Sequence, residues 1–310
     1  MPRYAILFPG QGSQHVGMGA DLFGPHGDVL GESTDRIVGW SLERLVMDGP
    51  QEALTRTENA QPALYAIASA LWRALDEAMP TSPAAAAGHS LGEYTALCAS
   101  GALTYEDGLA LVTERGQAMA AAAAEGEPSG MAALIGADLN QAESVAAGRR
   151  RDGGRLWVAN VNAPAQIVLA GSEADIAWLT ASARSLGIRR AVPLAVAGAF
   201  HSPLMQPAAK RLEAALEATS FARARFPVYA NTTARPTEDP VVQLAEQLVQ
   251  PVQFVATLEN MAADGISTFV HVGPGDVTAG LVKRTLPDAV VHVVSALEDI
   301  AAVASDPSVQ

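Results

Sequence analysis

The sequence predicts an α/β fold into which a ferredoxin-like unit is inserted. Short apolar runs that end at glycine-rich turns alternate with longer segments whose apolar residues recur at helical spacing. Between residues 126 and 200 the order changes to β-α-β-β-α-β, which is the element order of a ferredoxin-like unit. We therefore expect a core over 1–125 and 201–310 and a smaller subdomain over 126–200.

The first part of the chain predicts two short strands among helices. Residues 4–8 form an apolar run that a Pro-Gly pair interrupts, as expected of a buried strand before a sharp turn. Helical periodicity over 35–45 and 62–78 predicts two helices. Alanine is a poor strand former, so the strand predicted at 84–87 depends on its context before the glycine-flanked turn and the helical stretch from Tyr94.

The inserted unit and the region after it are also predicted from periodicity. The inserted strands and helices fall, in chain order, at 131–136, 139–149, 156–162, 166–172, 173–186 and 191–196. From Pro203 onward long helices alternate with short strands such as 227–231 and 268–273. Residues 301–310 have little periodicity, and we expect them to fray.

Composition excludes several classes of protein. The 310 residues include 20 Lys and Arg against 33 Asp and Glu, a net charge of -13 that argues against a general binder of nucleic acid or anionic membranes. The single cysteine, Cys98, excludes a disulfide framework and a cysteine-rich zinc site. No apolar run approaches the roughly 20 residues of a membrane span. We expect a cytoplasmic monomer without a metal or cofactor.

The sharpest local feature is the G-x-S-x-G pattern of Gly88-His89-Ser90-Leu91-Gly92. A serine on a tight strand-to-helix turn presents its hydroxyl at a helix N-terminus, where free N–H groups favour developing negative charge. The pattern predicts that Ser90 is a nucleophile. The alternative is a glycine-rich turn whose serine only caps the helix.

A serine nucleophile needs a base, and the chain offers six histidines. His201 follows the last strand of the inserted unit, in the motif AGAFHSPLM, where a loop at a domain boundary can place it in a cleft. His89 adjoins Ser90, so we expect its side chain to point away from the cleft. No carboxylate stands out as a third member of a triad. For each histidine taken singly, a surface or core role is the plainer reading.

Two further features could complete a site. The turn FPGQGSQ, residues 8–14, lacks the spacing of a phosphate loop, but its backbone N–H groups and Gln11 could contribute to an oxyanion hole. Arg115, in VTERGQAM, is a cation beside a glycine in an alanine-rich helical stretch. It belongs either to the site or to a solvated helix face.

Six ordered motifs resemble one enzyme family. FPGQGSQ, GHSLGEYTAL, ERGQAM, ANVNAP, AFHSPLM and LVQPVQF are similar to motifs of the malonyl-CoA:acyl carrier protein transacylases, which include stand-alone fatty-acid enzymes and acyltransferases of polyketide synthases. The resemblance extends from Phe8 to about Leu297. It implies an α/β-hydrolase-like core with a ferredoxin-like small subdomain.

The resemblance also implies roles for individual residues. Ser90 matches the nucleophile that is acylated from a CoA thioester, and His201 matches its general base and later acid. Gln250 matches the residue whose backbone carbonyl orients that histidine, which would explain the missing carboxylate. The N–H groups of Gln11 and Leu91 match the oxyanion hole.

The family's substrate contacts can be assigned in the same way. Arg115 matches the arginine that binds the free carboxylate of the extender unit, a role that suits a planar guanidinium. Leu91 and Phe200 match the malonyl-selecting pattern, although the Gly-Ala pair before Phe200 departs from the commoner HAFH. Asn160 and Asn162 match a polar motif near the cleft.

The resemblance therefore implies transfer of a malonyl unit from malonyl-CoA to the phosphopantetheine thiol of an acyl carrier protein. The chain has no DSL attachment motif, so the carrier must be a separate protein. AGAFHSPLM favours polyketide over fatty-acid synthesis. The alternatives are a hydrolase that edits carrier proteins, a transferase for an unusual or preassembled acyl group, and a catalytically silent docking module.

Charge is distributed unevenly along the chain. Residues 126–200 contain 7 Arg and 6 Asp or Glu, a net charge of +1, so the rest of the chain carries a net charge of -14. Because carrier proteins are typically acidic, we hypothesise that one of the basic clusters at the cleft rim docks the carrier. The candidate residues are Arg149, Arg150, Arg151, Arg155, Arg184, Arg189, Arg190, Lys210 and Arg211.

Overall fold

A computed structural model describes residues 3–310 and places nine strands in two separate sheets. The strands are β1 (Tyr4–Phe8), β2 (Ala85–Gly88), β3 (Ser129–Ile135), β4 (Leu156–Ala163), β5 (Gln166–Ser172), β6 (Arg190–Pro193), β7 (Val228–Tyr229), β8 (Thr268–Val272) and β9 (Val290–Val294). The fold is therefore α/β, with a parallel sheet and a separate antiparallel sheet.

Fourteen α-helices within residues 3–310 surround these sheets. They are α1 (Gly27–Leu30), α2 (Glu32–Val38), α3 (Leu42–Asp48), α4 (Gln51–Thr55), α5 (Thr57–Ala78), α6 (Gly92–Ala99), α7 (Tyr105–Glu125), α8 (Leu139–Arg151), α9 (Glu173–Ser182), α10 (Gln206–Glu217), α11 (Pro240–Gln247), α12 (Phe254–Ala263), α13 (Val277–Thr285) and α14 (Ile300–Ala304). Short 3₁₀ turns cover Pro203–Met205, Leu297–Asp299 and Pro307–Val309. Across this part of the chain, no helix has both the length and the apolar character that crossing a membrane requires.

The parallel sheet has the strand order β7-β2-β1-β8-β9. Every residue of β1 and β2 is buried, as expected for central strands of a parallel sheet covered on both faces. Small residues in β2 are a requirement of packing, because a Cβ at Gly88 would lie 1.8 Å from the backbone carbon of Gly92. The alanine-rich strand predicted at 84–87 is confirmed.

Two predictions about helix ends were wrong. The helix expected over 35–45 is divided into α2 and α3, because Gly39 adopts a left-handed φ of 84° and the Ser41 side chain caps the next helix. The C-terminal residues expected to fray instead form α14 and a 3₁₀ turn, and Val309 is fully buried. The buried side chains of Ile300, Val303 and Val309 attach this segment to the core.

The antiparallel sheet has the order β4-β5-β3-β6, and its strands alternate with α8 and α9 in the predicted sequence β-α-β-β-α-β. All of these elements fall between residues 129 and 193. Alternate strand residues such as Leu134, Leu156 and Leu169 pack with α9 in a core separate from that of the parallel sheet.

The inserted sheet is joined to a loop of the core beside the cleft. Asn160 of β4 forms a parallel bridge with Val252, which lies just after α11. The Val161 N–H donates to the Val252 carbonyl at 2.8 Å, and the Val252 N–H donates to the Ala159 carbonyl at 2.9 Å. The edge strand of the inserted sheet is thereby tied to the core by two backbone hydrogen bonds.

Candidate active site

Ser90 occupies the turn between β2 and α6 in a strained backbone conformation. Its φ is +51°, a left-handed value that is uncommon for a non-glycine residue. The turn is stabilised from outside, because the Ser90 N–H donates to Asn231 Oδ1 at 2.7 Å. This geometry directs the Ser90 hydroxyl into a cleft beside the start of α6.

His201 lies against the Ser90 hydroxyl, as the sequence predicted. Its Nε2 is 2.8 Å from Ser90 Oγ, and the imidazole is buried. Its Nδ1 is 2.7 Å from the backbone carbonyl oxygen of Gln247. A carbonyl oxygen can only accept, so Nδ1 bears the proton and Nε2 is free to accept the hydroxyl proton.

The prediction that Gln250 supplies this carbonyl was wrong. Gln247 is the last residue of α11, and the carbonyl groups of a helix's last turn have no intrahelical partner. The Gln247 carbonyl is therefore free to accept a hydrogen bond from His201 Nδ1–H, and the negative end of the helix dipole strengthens this bond. Gln250 lies three residues beyond and donates its own N–H to Glu246.

His201 is held in its neutral form. Burial, and secondly the positive charge of Arg115, lower the pKa of His201 to about 3. At neutral pH the imidazole can therefore accept a proton from Ser90.

Arg115 belongs to the site and not to a solvated helix face. The residue is 1% exposed, and its Nη2 donates to Ser90 Oγ at 3.0 Å. The guanidinium also donates to two amide oxygens, Gln61 Oε1 at 2.6 Å and Gln247 Oε1 at 2.9 Å, and lies 5.6 Å from the centre of the Tyr94 ring. Within residues 3–310 no carboxylate forms an ion pair with it, and its Nε has no hydrogen-bond partner. A buried cation without an acidic partner beside a nucleophile is a ready site for an anionic group.

The predicted site residues meet around one cavity of about 450 Å³ between the two sheets. Those that line it are Gln11, Ser90, Arg115, Asn160, Asn162, Phe200 and His201. Leu91 is buried immediately after Ser90. In the described part of the chain, the N–H groups of Gln11 and Leu91 donate to no protein acceptor. They remain available to an oxygen atom beside Ser90.

His89 does not point away from the cleft as we expected. Its side chain lines the cavity, and its Nε2 lies 2.7 Å from Asn162 Oδ1. Burial lowers the pKa of His89, which favours a neutral ring. His89 therefore orients the Asn162 amide at the cavity wall.

Four functional positions were missed at the sequence level: Gln61, Glu93, Asn231 and Gln247. All four are buried polar side chains that bond to one another or to the site. The available signal was a polar residue within an otherwise apolar helical stretch, as for Gln61 in α5 and Glu93 in α6. Burial raises the pKa of Glu93 to about 7.

Comparison with known proteins agrees with this geometry. The acyl transferase domain family matches residues 6–305. The malonyl CoA-acyl carrier protein transacylase of Bacillus subtilis is 40% identical over 289 residues, covering 92% of this chain and 90% of the relative. The Staphylococcus aureus (strain COL) protein of the same name is 37% identical over 306 residues, covering 97% and 98%.

Solved structures extend the similarity to three dimensions. The malonyl CoA-acyl carrier protein transacylase of Coxiella burnetii superposes with a TM-score of 0.92 at 34% identity, covering 98% of this chain and 97% of that one. A malonyl-transacylase in complex with its type II PKS acyl-carrier protein gives 0.91 at 32% identity, covering 97% and 98%. The chain therefore belongs to the malonyl CoA-acyl carrier protein transacylase family, within the acyl transferase domains.

Proposed function

We propose that this protein transfers a malonyl group from malonyl-CoA to the phosphopantetheine thiol of a separate acyl carrier protein, through an acyl-enzyme on Ser90. The observation that carries the proposal is the buried Arg115 guanidinium, which has no acidic partner and lies within hydrogen-bond distance of Ser90 Oγ. Of the acyl groups that CoA thioesters present, one ending in a free carboxylate fits this cation.

The first half of the reaction forms the acyl-enzyme. Ser90 Oγ attacks the thioester carbonyl carbon while His201 Nε2 takes the hydroxyl proton. The carbonyl oxygen becomes an oxyanion, which the N–H groups of Gln11 and Leu91 are placed to stabilise. The carbon–sulfur bond then breaks, and His201 returns the proton to the departing CoA sulfur.

The second half runs the same steps with the carrier as nucleophile. The phosphopantetheine thiol gives its proton to His201, and the sulfur attacks the Ser90 ester. The ester bond breaks, and Ser90 Oγ recovers the proton from the imidazolium. In both halves the Gln247 carbonyl stabilises the positive ring through Nδ1, a role that a carboxylate plays in other serine triads.

Through its hydrogen bond to Ser90, Arg115 connects the binding of the acyl group to the start of the reaction. A malonyl carboxylate that binds the guanidinium replaces its hydrogen bond to Ser90, leaving the hydroxyl oxygen free to attack. Charge-assisted hydrogen bonds of this kind contribute about 1.5 to 3 kcal/mol each. An editing hydrolase acting on varied acyl groups has little use for this cation, so Arg115 favours transfer over hydrolysis.

The cavity walls support selection for a small extender unit. Phe200 is buried beside His201 and lines the cavity, where its ring would crowd a substituent at the α-carbon. Leu91, next to the nucleophile, leaves no polar side chain there. Asn160 and Asn162 offer amides to the polar parts of the thioester arm.

The structure narrows the docking hypothesis for the carrier. Arg149, Arg155 and Arg211 already pair with carboxylates of this chain. The other six candidates are exposed and form no ion pair within residues 3–310, and two of them are Arg189 and Arg190. These two arginines lie just before the 194–196 segment that lines the cavity, so we propose that they bind the acidic carrier at its mouth.

We also propose that the core is α/β-hydrolase-like, that the insert is ferredoxin-like and that the carrier belongs to polyketide synthesis. A nucleophile turn at the carboxyl end of β2 supports an α/β-hydrolase-like core, and the order β4-β5-β3-β6 supports a ferredoxin-like insert. The AGAFHSPLM motif supports service to a polyketide carrier. Rates of transfer to a type II polyketide carrier and to a fatty-acid carrier, measured side by side, test this last assignment.

Incubation with radiolabelled malonyl-CoA tests the proposed activity. We expect covalent label on the protein and its passage to a holo-carrier. Ser90→Ala should abolish the label, whereas Ser305→Ala, a change at an exposed serine, should not. Label that persists in Ser90→Ala would contradict the acyl-enzyme, and rapid loss of label to water without a carrier would indicate a hydrolase.

A further inference from the structure

Glu93 is a buried carboxylate that the transfer steps above do not use. It is the second residue of α6, three positions after the nucleophile, and is 1% exposed. No Lys or Arg forms an ion pair with it among residues 3–310. A buried charge costs free energy unless hydrogen bonds offset it, so its partners indicate what it does.

Two amide-bearing residues donate to one oxygen of this carboxylate. The Asn231 backbone N–H donates to Glu93 Oε2 at 2.9 Å, and Gln247 Nε2 donates to the same oxygen at 2.6 Å. Both partners are fully buried. Glu93 therefore holds the backbone of Asn231 and the side chain of Gln247, which reach it from different parts of the chain.

These two residues bind the backbone of Ser90 from both sides. Asn231 Oδ1 accepts the Ser90 N–H at 2.7 Å, while its Nδ2 donates to the Gly88 carbonyl at 2.7 Å. Gln247 Nε2 donates to the Ser90 carbonyl at 3.0 Å. The Ser90 carbonyl also accepts the Glu93 backbone N–H at 3.1 Å, so both backbone polar groups of the strained Ser90 are bound by Glu93 or by residues that contact its carboxylate.

Gln247 extends the same network to the other reactive groups. Its Oε1 accepts from Arg115 Nη2 at 2.9 Å, and its backbone carbonyl accepts from His201 Nδ1 at 2.7 Å. The nucleophile, the base and the carboxylate-binding cation are therefore each one residue removed from Glu93. Removing the carboxylate would leave two buried N–H donors unpaired, and Gln247 could then rotate away.

We propose that Glu93 is a positioning residue for this reaction: through Asn231 and Gln247 it sets the Ser90 turn, the His201 ring and the Arg115 guanidinium relative to one another. The inference rests on the proposed function only for the identity of the acyl substrate. The arrangement of Ser90 and His201 can be measured without that substrate.

The test compares Glu93→Ala and Glu93→Gln with a matched control, Asp175→Asn. Asp175 is also a buried carboxylate that accepts a backbone N–H and a side-chain hydroxyl, but it pairs with Arg149 and lies in α9 of the inserted unit. Circular dichroism and thermal unfolding monitor folding. The probes are the rate at which a fluorophosphonate labels Ser90 and the low-field proton resonance of His201 Nδ1–H.

We expect Glu93→Ala to slow labelling by about 100-fold, the typical cost of a displacement near 1 Å at a reacting group, and to shift or broaden the His201 resonance. Glu93→Gln retains an acceptor oxygen and should restore labelling to within about tenfold of the wild-type rate. In malonyl transfer, kcat should fall more than KM rises. Asp175→Asn should change none of these readouts.

Wild-type labelling and an unmoved His201 resonance in Glu93→Ala would overturn the proposal, as would an equal loss in Asp175→Asn. If Glu93→Ala does not fold, Glu93→Asp serves in its place, because it keeps the carboxyl group on a side chain that is one methylene shorter. We then expect at least about tenfold slower labelling, and an unchanged rate would overturn the proposal. Failure of the wild type to transfer malonyl would contradict the proposed function and leave both probes of Glu93 intact.

Discussion

The Arg115 guanidinium donates to the nucleophile itself, with Nη2 3.0 Å from Ser90 Oγ. The same hydroxyl lies 2.8 Å from His201 Nε2, so its oxygen accepts from the cation while its proton points to the base. One buried arginine is thus in contact with the group that reacts and available to the group that identifies the substrate. In the mechanism that we propose, the guanidinium releases Ser90 Oγ when it binds the carboxylate of the acyl group.

Replacing Arg115 should remove selectivity for a carboxylate-bearing acyl group. Loss of two charge-assisted hydrogen bonds predicts a fall of about 100-fold or more in kcat/KM for malonyl-CoA. For acetyl-CoA, which has no carboxylate, the loss should be much smaller, so the ratio of the two constants is the measurement. Arg73→Ala, at an exposed ion pair, is the control. An unchanged ratio in Arg115→Ala would remove Arg115 from substrate recognition.

The pKa of His201 should lie far below that of an ordinary histidine. Burial and Arg115 lower this pKa to about 3, so the folded protein binds fewer protons than the unfolded chain below pH 6.5. The contribution of His201 to stability is therefore complete above pH 6.5 and is lost as the pH falls toward 3. Nitrogen NMR of the ring should report a neutral, Nδ1-protonated imidazole at pH 5.

Titration of His201 in Arg115→Met separates the effect of the Arg115 charge on its pKa from the effect of burial. Removing the positive charge leaves burial as the main cause of the depression, so the pKa of His201 should rise toward 6.5. The measurement is the midpoint of the same NMR titration in the two proteins. A midpoint that is equal or lower in Arg115→Met would show that the charge does not act on His201.

Shortening Phe200 should admit a larger extender unit. The space of the ring would accommodate an α-methyl, and one methylene in a pocket is worth about 1 to 3 kcal/mol, so the preference for malonyl over methylmalonyl should fall by about 10- to 100-fold in Phe200→Ser. Competition between the two CoA esters measures it. Met47→Ala, at an exposed apolar residue, should leave the preference unchanged. Equal preference in Phe200→Ser and the wild type would place the selecting contact elsewhere.

Charge reversal at the cavity mouth should affect one half-reaction only. In the double variant Arg189→Glu and Arg190→Glu, we expect KM for the carrier to rise about tenfold at low salt, with less effect near about 0.5 M salt because exposed charges are screened. Labelling of Ser90 by malonyl-CoA should be retained. The double reversal Lys283→Glu and Arg284→Glu, at two exposed cations of α13 that belong to none of the candidate clusters, is the matched control. A carrier KM that does not change would exclude this docking surface.

Local motifs in the sequence predicted the reactive groups, whereas the residues that orient them depend on the folded chain. Ser90 and His201 are identifiable because their short-range patterns, a glycine-flanked turn and a loop after a strand, are written in adjacent residues. The choice between Gln247 and Gln250 depends on where α11 ends, and helix ends are among the least predictable features of a sequence.

The directions of side chains and their long-range contacts also could not be predicted from the sequence. His89 adjoins Ser90, but the unusual backbone of the turn directs its ring into the cavity, toward Asn162. Asn231 follows a strand of only two residues, and its partners lie more than 130 positions away in sequence. Contacts between residues so far apart in sequence are fixed by the parallel pairing of β2 with β7, which periodicity alone does not specify.

The backbone bridge between Asn160 and Val252 couples the width of the cleft to the orientation of the His201 imidazole. Val252 lies five residues after Gln247, the residue whose carbonyl orients His201, and β4 forms part of the opposite cavity wall. A hinge opening of the inserted sheet must therefore either break these two hydrogen bonds or pull on the segment that aligns the imidazole. A carrier that widened the cleft on binding would misalign the His201 imidazole, whereas one that held the two units together would preserve its alignment.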